Sequence, residues 1–414
     1  MSTPYADTDN LAPARGRAPF SVVLRSPSYL LLWTAQLASL LAGVFTYVAV
    51  AWLVLQITGS SLAVGSVLAA ASVPQAALML VGGAVSDRFS PRTTMLAAGL
   101  ARGVVTGALA VLVLTHAVQL WELFAAAVLV GSTTAFFFPA STSMLPRLVE
   151  PDQLEAGNAL LNLGRTGAMV LGSAAAGVVV AATGAGSALA FDSAASIGAG
   201  LLVLPLAAGG SVAVASSALG DLRDGVVRVW KDVPLRTALL VISVLNLFAL
   251  GAVEVGLPAL AHMRFSQGAA ALGSAFAAWG LGSTVGSIGA GARPMPARIG
   301  RLMVVVIALV GAGIAAAGVA PTLPVLLAVL ILLGVVEGAG TTYLVSWMQR
   351  RTDPSMQGRV MSLFLLSSVG LEPVALAVAG VLASRQIGLL FWASAAALEL
   401  TAVLAASMRS VREV

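Results

Sequence analysis

The stretch GGAVSDRFSPRTTM, residues Gly82 to Met95, places Asp87, Arg88 and Arg92 between two long apolar runs. Those runs, 61–86 and 93–117, hold one basic group, Arg102, and no acidic group. Charges gathered in so short an interval between apolar segments mark a hairpin at a membrane surface, where water and lipid headgroups solvate them.

The rest of the chain extends this pattern. It has 414 residues, of which 59% are hydrophobic and 9% charged, with a mean hydropathy of +0.98. Such a balance excludes a soluble globular protein and identifies an integral membrane protein. Apolar runs recur from Tyr29 to Ser407, each long enough to cross a bilayer as a helix that satisfies its own backbone polar groups. Twelve spans are predicted: 29–57, 61–86, 93–117, 121–143, 158–182, 187–208, 235–262, 269–292, 302–320, 325–348, 359–383 and 388–407.

Basic residues fix an expected orientation. With the amino terminus inside, 18 of the 22 Lys and Arg fall in cytoplasmic segments, only Arg264 and Arg385 lie outside, and Arg102 and Arg165 lie within helices. The net charge of +5 is therefore topological, and no basic tract with interleaved aromatics argues for nucleic acid. Residues 1–28 contain Asp7, Asp9, Arg15, Arg17 and Arg25 without a hydrophobic region or cleavage site, and read as a cytoplasmic tail, not a signal peptide.

The chain has no Cys and only two His, His116 and His262, which excludes thiolate chemistry and leaves no expected metal site. No P-loop, HExxH pair or nucleophile triad is visible, so neither ATP nor catalysis is expected to drive the function. The expected domain organisation is an amino-terminal tail 1–28, a six-helix bundle 29–208, a cytoplasmic linker 209–234, a second six-helix bundle 235–407 and a tail 408–414. In the linker Leu219, Leu222, Val226, Val229 and Trp230 follow helical spacing and predict an amphipathic surface helix.

The halves repeat each other. An offset of 203 carries Arg147 to Arg350, Pro151 to Pro354 and Gly177 to Gly380, and an offset of 208 carries Gly65 to Gly273 and Gly83 to Gly291. Paired repeats enclosing a central site are a recurrent transporter architecture, because rocking one half against the other exposes the site to each side in turn.

Gly83-x-x-x-Asp87-Arg88-x-Ser90-Pro91-Arg92 resembles the signature loop of the major facilitator superfamily, with Ser90 and Pro91 at positions where Gly and Arg are usual. LPRLVEPDQLEAGNALLNL (145–163), LGDLRDGVVRVWKDVPLRTALL (219–240) and QRRTDPSMQGRVMSLFLL (349–366) are similar to the drug:proton antiporter branch containing macrolide-efflux and enterobactin-export proteins. The similarity spans essentially the whole chain, although helix 5 keeps Gly167, Gly172 and Gly177 without the Pro of the antiporter motif.

The resemblance implies an all-α membrane fold of two pseudo-symmetric six-helix bundles, with helices 1, 4, 7 and 10 lining a cavity. It implies that Asp87, Arg88 and Arg92 form a cytoplasmic gate, with Asp87 against the start of helix 11 near Gly358 and Arg359. Buried acids at Glu254, Glu337 and Glu372 become proton-coupling candidates. Glu337 and Glu372 each lie 13 residues from an inner marker, Arg350 or Arg359, so about 20 Å from that boundary at one shared depth.

Cavity candidates are Gln36 and Tyr47 on one face of helix 1, Thr133, Phe137 and Ser141 on one face of helix 4, with Arg165, Asn246 and Thr341. Asp192, Glu399 and Arg102 are expected to be structural, with Arg102 as a partner of the Asp87 region the alternative, and Asp192 near the outer end within reach of water. The expected function is secondary export of lipophilic or amphipathic compounds, cationic or neutral, by proton antiport across a bacterial plasma membrane. No cofactor beyond the proton gradient is expected, and a monomer with both termini cytoplasmic. The alternatives are a dedicated exporter of one metabolite, siderophore or lipid, and, from another class, an intramembrane enzyme or a non-transporting receptor.

Overall fold

The computed structural model describes residues 20–206, 227, 229–353 and 356–408, and every regular element among them is helical. After a short turn at Phe20–Val23, the chain runs through α1 (Pro27–Thr58), α2 (Ser61–Phe89), α3 (Pro91–Leu114), α4 (Leu120–Leu148), α5 (Leu154–Thr183) and α6 (Ala185–Leu202). The second half holds α7 (Val233–Arg264), α8 (Ala269–Gly291), α9 (Ile299–Val319), α10 (Leu323–Arg351), α11 and α12 (Ile387–Ser407). Ten of these are long and apolar enough on their own to cross a membrane. The other two are α8, rich in Gly, Ala and Ser, and α11, which is broken into Gln357–Val369 and Glu372–Arg385.

Local chemistry sets the helix starts. Ser26, Ser60 and Asp232 each accept a hydrogen bond from the backbone N–H three residues on, and Pro27, Pro91 and Pro234 occupy first-turn positions where the missing N–H costs nothing. In the α2–α3 hairpin Ser90 takes φ 77°, a left-handed conformation suited to the glycine usual in the signature loop. Its Oγ accepts from Thr93 N at 3.4 Å, so the substituted residue caps α3 in return.

Several sequence boundaries move. Helix 6 ends at Leu202, not 208; helix 3 begins at Pro91 directly after the hairpin, and helix 5 at Leu154 after a 3-10 turn. The predicted linker helix falls largely outside the described residues; within its described end Val229 is buried against Leu235, Met348 and Val360. The tails 1–19 and 409–414 are also outside them.

Two glycine crossings join the halves. A Cβ on Gly65 of α2 would stand 2.8 Å from Gly380 Cα of α11, and one on Gly273 of α8 would stand 2.6 Å from Gly177 Cα of α5. The sequence offsets relate these contacts, since Gly65 maps to Gly273 and Gly177 to Gly380. Both crossings lie toward the ends of the helices that carry the α1–α2 and α7–α8 connections. There one apolar cluster, including Val54, Leu68, Leu257 and Leu272, runs through both halves. Toward the opposite ends the core divides into two separate clusters, one around Tyr29, Met95 and Met144 and the other around Leu235, Met348 and Val360. The protein is thus closed on one side and parted on the other. The closed side is external under the positive-inside expectation.

Small residues let the crossings seal, because backbones meet without intervening side chains. Gly273→Val is expected to hold α5 and α8 apart at this level, since overpacking a tight contact costs about 1–3 kcal/mol. Spin labels at Thr183→Cys and Ser266→Cys should report a longer distance in the variant; an unchanged distribution would show that the crossing does not control closure.

Candidate functional site

Between the halves, on the parted side of the crossings, lies a cavity of about 500 Å³. One face of α1 supplies Gln36, Ser39, Gly43 and Tyr47, and α4 supplies Thr133, Phe137 and Ser141. Arg165 of α5, Glu254 of α7 and Phe276 and Trp279 of α8 complete the main wall. The hydroxyl of Ser141 is committed to Phe138 O at 2.8 Å and that of Thr133 to Val130 O at 2.8 Å, so the α4 wall presents mostly apolar surface. Gln36 is different: it is only 8% exposed, and its Oε1 is buried without a hydrogen-bond partner among the described residues. A buried acceptor left open costs about 1–3 kcal/mol, which a ligand N–H or O–H would relieve.

Glu254 stands on a local distortion. Residues Ala252–Gly256 form a single π-helical turn within α7, a feature that recurs at functional sites. Tyr47 Oη donates to the backbone oxygen of Glu254 at 2.9 Å, and the Tyr47 ring meets Phe276 edge-on with centroids 5.4 Å apart. The first helix is thereby tied to the bulge across the interface of the halves.

A second chamber of about 230 Å³ adjoins the first and shares Gly43, Tyr47, Gln75, Arg102 and Glu254 with it. Glu372 lines this chamber together with Glu254. Glu372 opens the second piece of α11, immediately after the break at Gly370 and Leu371 and before Pro373. Its carboxylate therefore sits at a helix amino terminus, where the exposed N–H groups favour negative charge. Both carboxylates occupy irregular points in otherwise regular helices.

The structure brings Glu372 to Glu254, not to Glu337 as the depth estimate implied. Glu337 instead accepts a hydrogen bond from Trp279 Nε1 at 2.7 Å, behind the cavity wall. Arg165 faces the cavity and lies over the Phe138 ring at 5.8 Å. Asn246 donates to Ile242 O at 3.1 Å, and neither it nor Thr341 lines either chamber. Arg92 is half-buried at the start of α3, whereas the side chains of Asp87, Arg88 and Arg359 lie outside the described residues.

Arg102 and Asp192 correct a sequence expectation. Asp192 is fully buried, not water-accessible, and Arg102 Nε and Nη2 donate to its two oxygens at 3.1 Å each. Ser196 donates to it at 2.6 Å and Thr46 also donates, so the carboxylate is held by three helices. Arg102 meanwhile borders both chambers, which gives this pair a place beside the site. Glu399 packs on α12 against Gly311 of α9, away from both chambers. Sequence inspection did not single out Gln75, Phe276 or Trp279 as site residues; Trp279, the one Trp within α8, was the available signal.

Comparison with known proteins agrees with this architecture. A nucleoside transporter, NupG, aligns at 12% identity with a TM-score of 0.70, covering 92% of this chain and 100% of that one. A mutant of the same transporter aligns at 14% identity with a TM-score of 0.71, covering 92% and 99%. A bacterial homolog of the human lysosomal transporter Spinster, in an inward-facing and unoccupied conformation, aligns at 15% identity with a TM-score of 0.66, covering 92% and 95%. At these identities the likeness establishes the fold alone. No curated protein sequence matches the chain. The Major Facilitator Superfamily profile matches residues 32–371, and with twelve long helices among the described residues in two pseudo-symmetric bundles around a central cavity, this chain belongs to the major facilitator superfamily of transporters.

Proposed function

We propose that this chain is a secondary active exporter of lipophilic or amphipathic small molecules, driven by proton antiport through alternating access in a bacterial plasma membrane. The observation that carries the proposal is Glu254, a half-buried carboxylate shared by an apolar-walled cavity and a chamber that also holds Glu372. Apolar and aromatic walls with a few placed polar groups suit a lipophilic ligand. An acid that faces both the ligand space and a second acid can exchange a proton for a bound substrate, because the two compete for the same negative charge.

The sign follows from that competition. A cationic substrate should bind more weakly as pH falls, because protons then occupy the charge it needs. The glycine crossings supply the external closure, and Asp87, Arg88 and Arg92 are proposed to supply the cytoplasmic one. Asp87→Asn should therefore lower turnover more than binding and raise the inward-open population.

Transport in proteoliposomes under an imposed pH gradient, with a panel of cationic, neutral and anionic lipophiles, tests the function. Uptake into inside-out vesicles that follows an interior-acid gradient is the expected result; movement indifferent to the gradient for every compound would contradict it. Cationic and neutral members should be preferred, since the two acids of the joined chambers, Glu254 and Glu372, face Arg165 as the one cation among the described lining residues not paired with a carboxylate, Arg102 being paired with Asp192, and a desolvated anion would meet unfavourable charge. Arg165→Gln should leave cation transport within about twofold of the native rate. Predominant transport of anions that survives this substitution would overturn the charge preference.

A further inference from the structure

The central cavity follows one face of α1. Gln36, Leu40, Gly43 and Tyr47 recur every three or four residues and line it in succession. Tyr29 belongs to an apolar cluster of the parted side and Val54 to the cluster of the closed side, so Gln36 lies toward the opening and Tyr47 toward the glycine crossings. Tyr47 is 11 residues on from Gln36, which separates their levels by about 16 Å.

The two ends carry different chemistry. At the closed end the Tyr47 hydroxyl donates to the Glu254 backbone oxygen at 2.9 Å, which holds the acid at that level. At the open end the Gln36 side chain is 8% exposed, and its Oε1 accepts no hydrogen bond from any described residue. The neighbouring donors are spent elsewhere: the Ser141 hydroxyl donates to Phe138 O at 2.8 Å, and the Arg165 guanidinium lies over the Phe138 ring at 5.8 Å. Leu40, Val44 and Phe137, which also line the cavity, offer no side-chain donor.

Buried side-chain oxygens almost always have a partner inside the protein, and one that lacks it on a cavity wall is complementary to a ligand that brings one. We infer that Gln36 is the distal anchor of a two-point site, so that the preferred substrates are elongated lipophilic amines carrying a neutral N–H or O–H donor about 16 Å from the basic nitrogen. This rests on the exporter proposal and deepens it by naming a substrate class and its orientation, amine toward Glu254 and donor trailing toward the opening.

The surroundings require the distal group to be neutral. A second ammonium beside Gln36 would lose its hydration among apolar side chains and meet Arg165 on the same cavity. An amide N–H or a hydroxyl loses less and recovers it in one bond to Oε1. The segment between the two polar ends needs only to be apolar, since Phe137 and the flexible Met169 line the cavity it crosses. A substrate lacking the donor leaves Oε1 open, so the site sorts ligands by a hydrogen bond, which discriminates more sharply than added apolar surface.

The test measures equilibrium binding to the purified full chain in detergent with two pairs of tertiary amines. In the long pair an apolar linker sets a secondary amide, or the ester of the same shape, about 16 Å from the nitrogen. In the short pair the linker is half that length. The ester keeps the carbonyl and lacks the N–H. Native protein should bind the long amide about tenfold more tightly than the long ester, and the short amide no more tightly than the short ester. Gln36→Leu should abolish the long-pair preference.

Equal affinity of the native protein for the two long compounds overturns the anchor, because water alone would then meet the buried oxygen; this comparison does not depend on the folding of any variant. A preference as large in the short pair overturns the span, and one that survives Gln36→Leu overturns the role of Gln36. Binding is read without transport. A native long-amide preference lost in Gln36→Leu, with no gradient-driven movement of either long compound, would leave the anchor standing and count against the exporter proposal instead.

Discussion

Glu254→Gln should reduce pH-gradient-driven transport about 100-fold while leaving the protein folded and still able to bind neutral ligands. The amide keeps the volume and hydrogen-bonding capacity of the acid but removes the exchangeable charge. Tyr47 bonds to the backbone of residue 254, not its side chain, so the tie between α1 and the π turn survives the substitution. Glu372→Gln should also impair coupling, but less, since Glu372 borders only the second chamber. Glu337→Gln should act chiefly on Trp279, whose Nε1 it accepts, and affect cavity shape more than coupling. Initial rates in proteoliposomes with and without the gradient separate these cases. A Glu254→Gln protein with normal gradient-driven rates would remove this residue from the mechanism.

Arg102→Met should destabilise the protein by about 3–5 kcal/mol, because it leaves Asp192 buried without its charge partner. Asp192 is enclosed, and only the hydroxyls of Thr46 and Ser196 would remain to solvate it. The double substitution Arg102→Met with Asp192→Leu should recover most of that loss, since an apolar pair of similar volume carries no uncompensated charge. Denaturation in mixed micelles measures both. Equal destabilisation in the single and double variants would show that the pair acts through packing, not electrostatics. Because Arg102 borders both chambers, the stable double variant also asks whether this cation tunes the nearby acids: native coupling in it would confine the pair to a structural role.

Much of this was legible in the chain and some was not, for identifiable reasons. Apolar runs and the arginine distribution specify membrane spans because the bilayer imposes length and charge rules that act locally along the sequence. Helical spacing put Gln36 and Tyr47 on one face of α1 and Thr133, Phe137 and Ser141 on one face of α4, the family resemblance made those helices cavity-lining, and all five residues line one chamber in the structure. Glu254 and Glu372 were visible as intramembrane acids, yet their juxtaposition was not. Rise per residue gives depth along a helix but not the direction a side chain faces, and a π turn in α7 and a break in α11 alter that direction where the two acids sit.

The sequence nevertheless carries a signal for both distortions. Glu254 lies between Gly251, Gly256 and Pro258, and Glu372 between Gly370 and Pro373. Gly and Pro weaken the regular ladder at the same places where the acids stand, and such interrupted helices are frequent at transporter sites. The Arg102–Asp192 pair offers no comparable clue. Its partners are 90 residues apart, and only the packing of α3 on α6 brings them together.

The central claim is that substrate and proton compete at Glu254, and proton release on binding measures this directly. The purified protein in weakly buffered detergent solution, with a pH indicator dye, receives a transported cationic lipophile. Native protein should release protons on binding, with apparent affinity rising as pH rises, and Glu254→Gln should bind with markedly smaller release. Binding of a transported cation to the native protein with no proton release across the pH range, and with affinity independent of pH, would contradict the account.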